Sequence, residues 1–273
     1  VKGFACASCP VGCSLIAEIK SGDYKGTRSE GPEYESTVML GSNCGIADLD
    51  TIIAANYLCD EYGLDTISAG NVVGFLMECY EKGVITKEDT YGLDLKWGNA
   101  EAIVALVRKM VVRDGIGDVL ADGLLPAAAK IGQGAERFAV HAKGQAQPMH
   151  EPRLKRGLAI GYAVSPTGAD HNHSMHDVGL IAAGEDGFPS DGLSRSMGVL
   201  DPMPLESLGP EKVRATIYNS MSSILFNCLT MCTFPGWSVR EMRELTEAAS
   251  ACVTGKTISA AMPSVRYARK VTG

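Results

Sequence analysis

The feature that most constrains this chain is a group of three cysteines near its start. Cys6, Cys9 and Cys13 follow the spacing C-x2-C-x3-C, and Pro10 and Gly12 favour a chain that folds back between them. Thiolates this close together in sequence can supply three corners of one metal centre, so a fourth ligand must come from a distant part of the chain. Zinc suits four cysteines as well as iron and sulfide do, and the spacing alone leaves the metal open.

Cysteine usage also indicates the compartment. The chain has nine cysteines, an odd number, in 273 residues, which is far longer than the small domains that depend on disulfides. A thiolate-ligated metal in a reducing compartment fits better than a disulfide framework, so we expect a cytoplasmic protein. Four cysteines outside the cluster are predicted to be small buried hydrophobic residues, namely Cys44, Cys59, Cys79 and Cys252.

Charge and hydropathy exclude several classes of protein. The formal net charge is −7 at pH 7, which argues against a general nucleic-acid or anionic-membrane binder. No apolar run reaches the roughly 18–20 residues of a membrane span. No G-x-G-x-x-G follows a strand and no P-loop is present, which disfavours a nicotinamide dehydrogenase. The start at Val1 shows neither an initiator Met nor a signal peptide, so we expect a fragment.

The spacing of apolar residues predicts helices and almost no alternating strands. Thr66 or Ser68 is the expected N-cap of one helix and Asn99 that of another, while Pro126 should interrupt a weaker helix. The predicted helices cover 46–59, 66–82, 100–115, 116–132, 211–231, 238–252 and 257–270. Residues 1–43 and 133–210 show no sustained period and are predicted to be irregular.

The predicted fold class is therefore mainly α. We expect a multihelical chain in which two helical lobes flank the long irregular region rich in Gly and His. The first predicted domain, 1–132, carries the cysteine cluster, and the second, 133–273, carries the histidine-rich stretch.

Seven short motifs, taken in order, resemble one known family. They are CASCPVGC (6–13), GPEYES (31–36), LGSNCGI (40–46), DEYGLD (60–65), HEPR (150–153), GYAVSPTGADH (161–171) and NCLTMCTF (227–234). Their order is similar to that in the aldehyde ferredoxin oxidoreductase family, enzymes with a tungsten bis-pterin cofactor and one [4Fe-4S] cluster. The resemblance implies the family's two helical C-terminal domains, without its β-rich N-terminal domain.

The resemblance implies the cluster ligands. Cys6, Cys9 and Cys13 match the first three ligands of the [4Fe-4S] cluster. The fourth ligand ends the family motif D-x-x-G-L-C, onto which Cys232 falls, and it is therefore preferred over Cys228.

The resemblance also implies a pterin site. The companion motif D-x-x-G-L-D is intact at Asp60, Gly63, Leu64 and Asp65, whose carboxylates can accept hydrogen bonds from the donor-rich edge of a pterin. The glycine would let the backbone approach the ligand closely.

The second pterin motif departs from the family pattern. Asn227 stands where an Asp is expected, Thr230 replaces the Gly, and Met231 completes the candidate cofactor contacts. Arg153 would face the anionic cofactor, although a salt-bridged turn with Glu151 explains it equally well.

For the chemistry, the resemblance implies a Glu and a His beside the tungsten (or molybdenum). Glu35 is the best match for the Glu, with Glu33 as a possible misregister, and His171 is the best match for the His. A carboxylate could take a proton from the attacking water while an imidazole holds the carbonyl oxygen of a small aldehyde. Electrons would leave through the cluster to a ferredoxin-like acceptor.

A histidine-rich stretch allows a different interpretation. His171, His173 and His176, with Asp170 and Asp177, form a candidate zinc or iron site when the family is set aside. The favoured alternative is that these histidines line the substrate pocket, and the third interpretation is that they belong to a polar loop without a specific role.

Other functions also stay open. A related carbonyl or thioester reaction within the same family is one. The alternative from another class is an iron–sulfur electron-transfer or structural module that has lost catalysis, and a zinc-stabilised helical interaction protein is the third. A homo-oligomer or a subunit of a larger complex is expected.

Overall fold

The chain divides into two compact units, Val1–Met149 and His150–Gly273. A computed structural model describes residues 1–7, 9, 11–181, 201–236 and 247. Apart from Glu247, the helices predicted at 238–252 and 257–270 lie outside the described residues. The domain division at 132/133 stays a prediction.

The first unit begins with a small antiparallel sheet in the order β1-β2-β3, formed by Lys2–Phe4, Ser14–Glu18 and Arg28–Glu30. Phe4 pairs with Ser14 and Ile16 pairs with Glu30. A second hairpin joins β4, His141–Ala142, to β5, Gln145–Ala146. The prediction that 1–43 is irregular is wrong, because strands of three to five residues are too short to show an alternating pattern.

Six helices follow in the first unit: α1 Tyr34–Leu40, α2 Leu49–Tyr62, α3 Thr66–Glu81, α4 Ala100–Val112, α5 Ile116–Leu120 and α6 Leu124–Ile131. The predicted cap of α4 is confirmed, since Oδ1 of Asn99 accepts from the Ala102 N–H over 3.2 Å. The cap of α3 is Asp65, whose Oδ2 accepts from the Ser68 N–H over 2.8 Å, so the prediction of Thr66 or Ser68 is wrong.

The position of the break between α5 and α6 is also corrected. The helical stretch 116–132 is interrupted at 121–123 and not at Pro126. Pro126 is the third residue of α6, where the backbone N–H would have no partner within the helix, so proline is tolerated there.

The core of the first unit lies among α2, α3 and α4, with Val73, Leu76, Ile103 and Leu106 fully buried. Three cysteines predicted to be buried are buried: Cys44, Cys59 and Cys79. Burial raises the pKa values of their thiols to about 12, about 12 and about 11. They are therefore packing groups held as thiols and not metal ligands. Cys252 lies outside the described residues.

The second unit contains α7, Arg156–Val164, which packs on the long α8, Pro210–Cys228. A short α9 covers Thr233–Gly236. Single 3-10 turns lie at His171–His173 and Asp177–Leu180. The prediction of an irregular 133–210 is wrong at α7, where glycines and alanines obscure the helical period. The helix predicted to end at 231 ends at Cys228.

Helices outweigh the short strands among the described residues, so the mainly α prediction is confirmed. No helix in the described part of the chain has the length and hydropathy needed to cross a bilayer.

Candidate functional site

The cysteine cluster occupies the end of a β-hairpin. Phe4 at the end of β1 pairs with Ser14 at the start of β2, and Cys6, Cys9 and Cys13 lie between these two paired residues. The Cys9 N–H donates to the Cys6 carbonyl over 3.0 Å, which makes a tight turn. Gly12 has a φ of 59°, a conformation that glycine adopts without strain.

The thiols of this loop are suited to bind a metal centre. Cys6 and Cys13 are exposed, Cys9 is half-buried, and all three are free thiols. Three free thiols therefore lie between two paired strands, and cysteines that are close in sequence on such a segment commonly supply ligands to iron–sulfur or zinc centres.

The D-x-x-G-L-D motif forms the connection between α2 and α3. Gly63 ends α2 with a φ of 70°, and a Cβ built on it would meet no atom within 4 Å. Its left-handed conformation favours glycine, and the space beside it would admit a ligand close to the backbone. Leu64 follows with its N–H bonded to the Cys59 carbonyl over 2.8 Å.

Both carboxylates of the motif have local partners. Oδ2 of Asp60 accepts from Nδ2 of Asn56 at 2.8 Å and from Oγ of Ser29 at 3.1 Å, while Oδ2 of Asp65 caps α3. Among the described residues, no donor contacts Oδ1 of either exposed carboxylate. A carboxylate offers about four acceptor sites, so both groups retain the capacity to bind the donor edge of a pterin.

Glu35 lies in the first turn of α1 and is half-buried. Its Oε2 accepts from the Met149 N–H over 3.2 Å. Next to it, Oγ of Ser36 contacts Oγ1 of Thr66 at 2.7 Å, which ties α1 to α3. Glu33, the alternative, is exposed before the helix.

Three histidines of the second unit form one cluster. The ring centroid of His150 lies 4.8 Å from that of His171 and 4.5 Å from that of His176, and the last two lie 5.9 Å apart. Nζ of Lys155 is 3.1 Å from Nδ1 of His150. Burial, together with the positive charge that His150, His171 and Lys155 can carry, lowers the pKa of His176 to about 4. Neutral His176 therefore stands beside His171 at neutral pH.

This cluster predicts a loss of stability in acid. His176 takes up a proton less readily in the folded chain than in the unfolded chain. Its contribution to the free energy of unfolding is therefore complete above pH 6.5 and is lost as the pH falls towards about 4. The loss should be on the order of 1–2 kcal/mol, because partial exposure screens the charges. Urea unfolding at neutral and acid pH measures it. His176→Leu should reduce this pH dependence and exposed His141→Gln should not; equal curves for parent and His176→Leu would contradict it.

The second pterin motif lies at the end of α8. Exposed Asn227 contacts Nε2 of His173 through its Nδ2, and Nδ1 of His173 contacts Oδ2 of Asp170. Met231 is half-buried and Cys232 is exposed, directly before α9. The second unit thus brings Asn227 to the histidine loop, a contact that the sequence analysis missed.

Arg153 is paired locally. Its Nε and Nη2 lie 2.9 and 2.7 Å from the carboxylate of Glu151, and its side chain is 88% exposed. The geometry fits the salt-bridged turn, and a contact with a cofactor stays a prediction.

A buried ion pair was also missed. Asp177 and Lys212 are both fully buried, with Nζ 2.6 Å from Oδ1. The carboxylate also accepts from the N–H groups of Gly157 at 2.9 Å and Leu158 at 3.0 Å, at the start of α7. Both oxygens of Asp177 are therefore already bound to groups of the protein, and Asp177 is excluded from the candidate zinc or iron site. No periodicity or motif marks Lys212 in the sequence.

The candidate residues are divided between the units. The first holds the three clustered cysteines, Glu35 and Asp60–Asp65. The second holds His171, Arg153, Asn227, Met231 and Cys232.

Comparisons with known proteins agree with the motifs. A family model described as "Aldehyde ferredoxin oxidoreductase, domains 2 & 3" matches residues 1–262. A tungsten-containing aldehyde ferredoxin oxidoreductase of Pyrococcus abyssi is 34% identical over 255 residues, covering 91% of this chain and 38% of that protein. An aliphatic sulfonate oxidoreductase, WOR-like subunit, of Pyrococcus furiosus is 42% identical over 176 residues, covering 62% of this chain and 28% of that protein.

A solved structure shares the fold. The active-site complex BamBC of benzoyl coenzyme A reductase, solved with 1,5-dienoyl-CoA, matches with a TM-score of 0.68 at 21% identity, covering 94% of this chain and 41% of that chain. The chain therefore spans only a part of the relatives that it matches.

Proposed function

The chain belongs to the aldehyde ferredoxin oxidoreductase family, and on that basis we propose that it is the helical part of a tungsten- or molybdenum-pterin oxidoreductase. The proposed reaction oxidises a small aldehyde, or a related carbonyl compound, to the carboxylic acid. The chain spans about 38% of the relatives that match it over most of its length, so the activity is proposed for the whole protein that contains it.

The hairpin loop with three exposed or half-exposed thiols is the observation that carries the proposal. Cys6, Cys9 and Cys13, with Cys232 from the second unit, would hold a [4Fe-4S] cluster. Such a cluster, when bound, supplies one-electron transfer.

The other candidate residues have separate roles in this proposal. Asp60, Asp65 and Asn227 would accept hydrogen bonds from the pterin, with Gly63 leaving room for it. Half-buried Glu35 would accept a proton from the attacking water. His171 would hold the carbonyl oxygen of the substrate.

The partners are proposed on the same basis. A ferredoxin-like protein would accept the electrons, and the protein would work as an oligomer or as a subunit in the cytoplasm. Two similar proteins support the subunit alternative, since one is named a WOR-like subunit and the other is part of a BamBC complex. That two helical lobes flank the histidine-rich region also remains a proposal.

The test is metal analysis after anaerobic purification of the protein that contains this chain. We expect about four irons per chain and a broad absorbance at ~400 nm, with tungsten or molybdenum in the same sample. Cys13→Ser and Cys232→Ser should each remove most of the iron and the absorbance. Cys228→Ser is the matched control, because it removes an exposed thiol four residues away and should keep both.

Three outcomes would contradict the proposal. If metal analysis found zinc and no iron, the cysteines would form a structural zinc site and not an iron–sulfur cluster. Iron lost in the Cys228 variant but kept in the Cys232 variant would exchange the fourth ligand. Retention of iron in the Cys13 variant would remove the hairpin from the site.

A second candidate function is favoured by one contact. The amide of Asn227 binds His173 where the family motif has a carboxylate. An iron–sulfur module without the pterin would need no carboxylate there. Four irons per chain with neither tungsten nor molybdenum would support this candidate over the oxidoreductase.

A further inference from the structure

The loop that carries His171 is tied to α8 by a chain of three polar side chains. Oδ2 of Asp170 contacts Nδ1 of His173, and Nε2 of the same ring contacts Nδ2 of Asn227. A second tie is independent of the ring, because Nδ2 of Asn219 donates to the Ser174 carbonyl over 3.2 Å. His173 therefore stands between a carboxylate and the amide at the altered position of the second pterin motif.

The surroundings of Asp170 keep it ionised. Burial raises the pKa of this carboxyl, but hydrogen bonds from His173, from the Asn172 N–H at 2.9 Å and from Thr167 outweigh the burial and lower it. An ionised carboxylate only accepts hydrogen bonds, so its contact with the ring requires a proton on Nδ1 of His173.

The protonation of the ring then determines the orientation of the amide. A neutral imidazole with a proton on Nδ1 has its lone pair on Nε2, and the group that faces Nε2 must donate. Nδ2 of Asn227 is that donor. The carbonyl oxygen Oδ1 of the amide is consequently turned away from His173.

We infer that His173, held by Asp170, is a positioning residue that presents Oδ1 of Asn227 as an acceptor for an N–H donor of a bound heterocycle. The inference rests on the proposed function, in which that heterocycle is the pterin. An Asp at this position would accept a hydrogen bond through either carboxylate oxygen. An Asn accepts only when its amide is oriented with Oδ1, and not the NH₂ group, towards the ligand. The histidine thus compensates for the missing carboxylate.

The decisive measurement is the tautomer of His173 by ¹⁵N NMR of the labelled protein, with the signal assigned by its loss in His173→Gln. We expect the Nδ1–H tautomer. The Nε2–H tautomer, or a ring protonated on both nitrogens, would overturn the inference, because Nε2 would then donate to Oδ1 of Asn227 and turn the NH₂ group outward.

Asp170→Asn tests the origin of this selection without removing the loop. Asn caps a turn as well as Asp does, so the 3-10 turn at His171–His173 should form. Its amide can donate or accept, so we expect a mixture of tautomers and about a tenfold weaker retention of pterin. Asn219→Ser, the matched control, removes the tie to Ser174 and should leave the tautomer unchanged. A pure Nδ1–H tautomer in Asp170→Asn would overturn the role of the carboxylate.

The two proposals fail separately. A protein that binds pterin but shows the Nε2–H tautomer would retain the proposed function and lose the positioning role. A protein with the Nδ1–H tautomer that holds no pterin would lose the proposed function and the ligand inferred for Asn227, while the amide orientation would stand.

Discussion

Lys212→Met is expected to lower the free energy of unfolding by about 3–5 kcal/mol, because it leaves a buried carboxylate without its counter-ion. Lys212 and Asp177 are both fully buried, and Nζ of Lys212 also donates to the Pro204 carbonyl over 2.9 Å. The two N–H groups at the start of α7 still contact Asp177, but they do not supply a positive charge. Urea or thermal unfolding measures the loss.

Lys130→Met is the matched control for this change. It removes a lysine whose pair with Asp122 has both side chains about two-fifths exposed, and exposed pairs contribute less than about 1 kcal/mol. Adding Asp177→Asn to Lys212→Met should recover part of the stability, since the uncompensated charge is then gone. Similar losses for the two lysine variants would show that the buried pair is not the anchor of this unit.

The consequence for the candidate site follows from the position of Asp177. It comes directly after His176, and His176 packs against His150 and His171. The Asp177 carboxylate binds the start of α7 and so fixes the end of the histidine loop, which comes after α7 in sequence, to the beginning of that helix. A variant that remains folded but releases this anchor should therefore also disturb the ring cluster.

The sequence predicted best the elements that are long or regular. α2 and α4 were found from their apolar spacing, and Asn99 from its place before α4. Strands β1 to β5 were not predicted because they are too short for an alternating period to appear, and α7 was not predicted because Gly157, Ala159 and Gly161 interrupt its apolar spacing. The cap of α3 is Asp65 and not the predicted Thr66 or Ser68, because apolar spacing does not fix a helix boundary to a single residue.

The same distinction applies to the candidate site. Motifs contained in one loop or one connection, such as the cysteine loop and Asp60–Asp65, are contiguous in sequence and could be predicted. The pairing of Asp177 with Lys212 and of His173 with Asn227 joins residues 35 and 54 positions apart. No local pattern marks such pairs, because only the packing of the loop on α8 brings them together.

Gly70→Ala should lower the free energy of unfolding by about 3 kcal/mol, because the added methyl group overpacks the contact between α1 and α3. A Cβ at this position of α3 would lie 2.4 Å from the carbonyl carbon and oxygen of Met39 in α1. Backbone atoms have no other rotamer to adopt, so α1 must move by about 1 Å to restore ordinary contact. Glu35 lies on α1 and would move with it. Chemical unfolding and hydrogen exchange at the Met149 amide, which donates to Glu35, measure the two effects.

Gly74→Ala, one turn later in the same helix, is its control. A Cβ there would lie 2.5 Å from Nδ2 of Asn43, an exposed side chain that can turn aside only by losing its 3.2 Å hydrogen bond to the Gly70 carbonyl. The gain of about 1 kcal/mol in helix propensity should offset most of that cost. If Gly70→Ala were as mild as Gly74→Ala, and the Met149 amide kept its protection, then the close approach of α1 to α3 would not be what positions Glu35. The proton acceptor proposed here would need a different support.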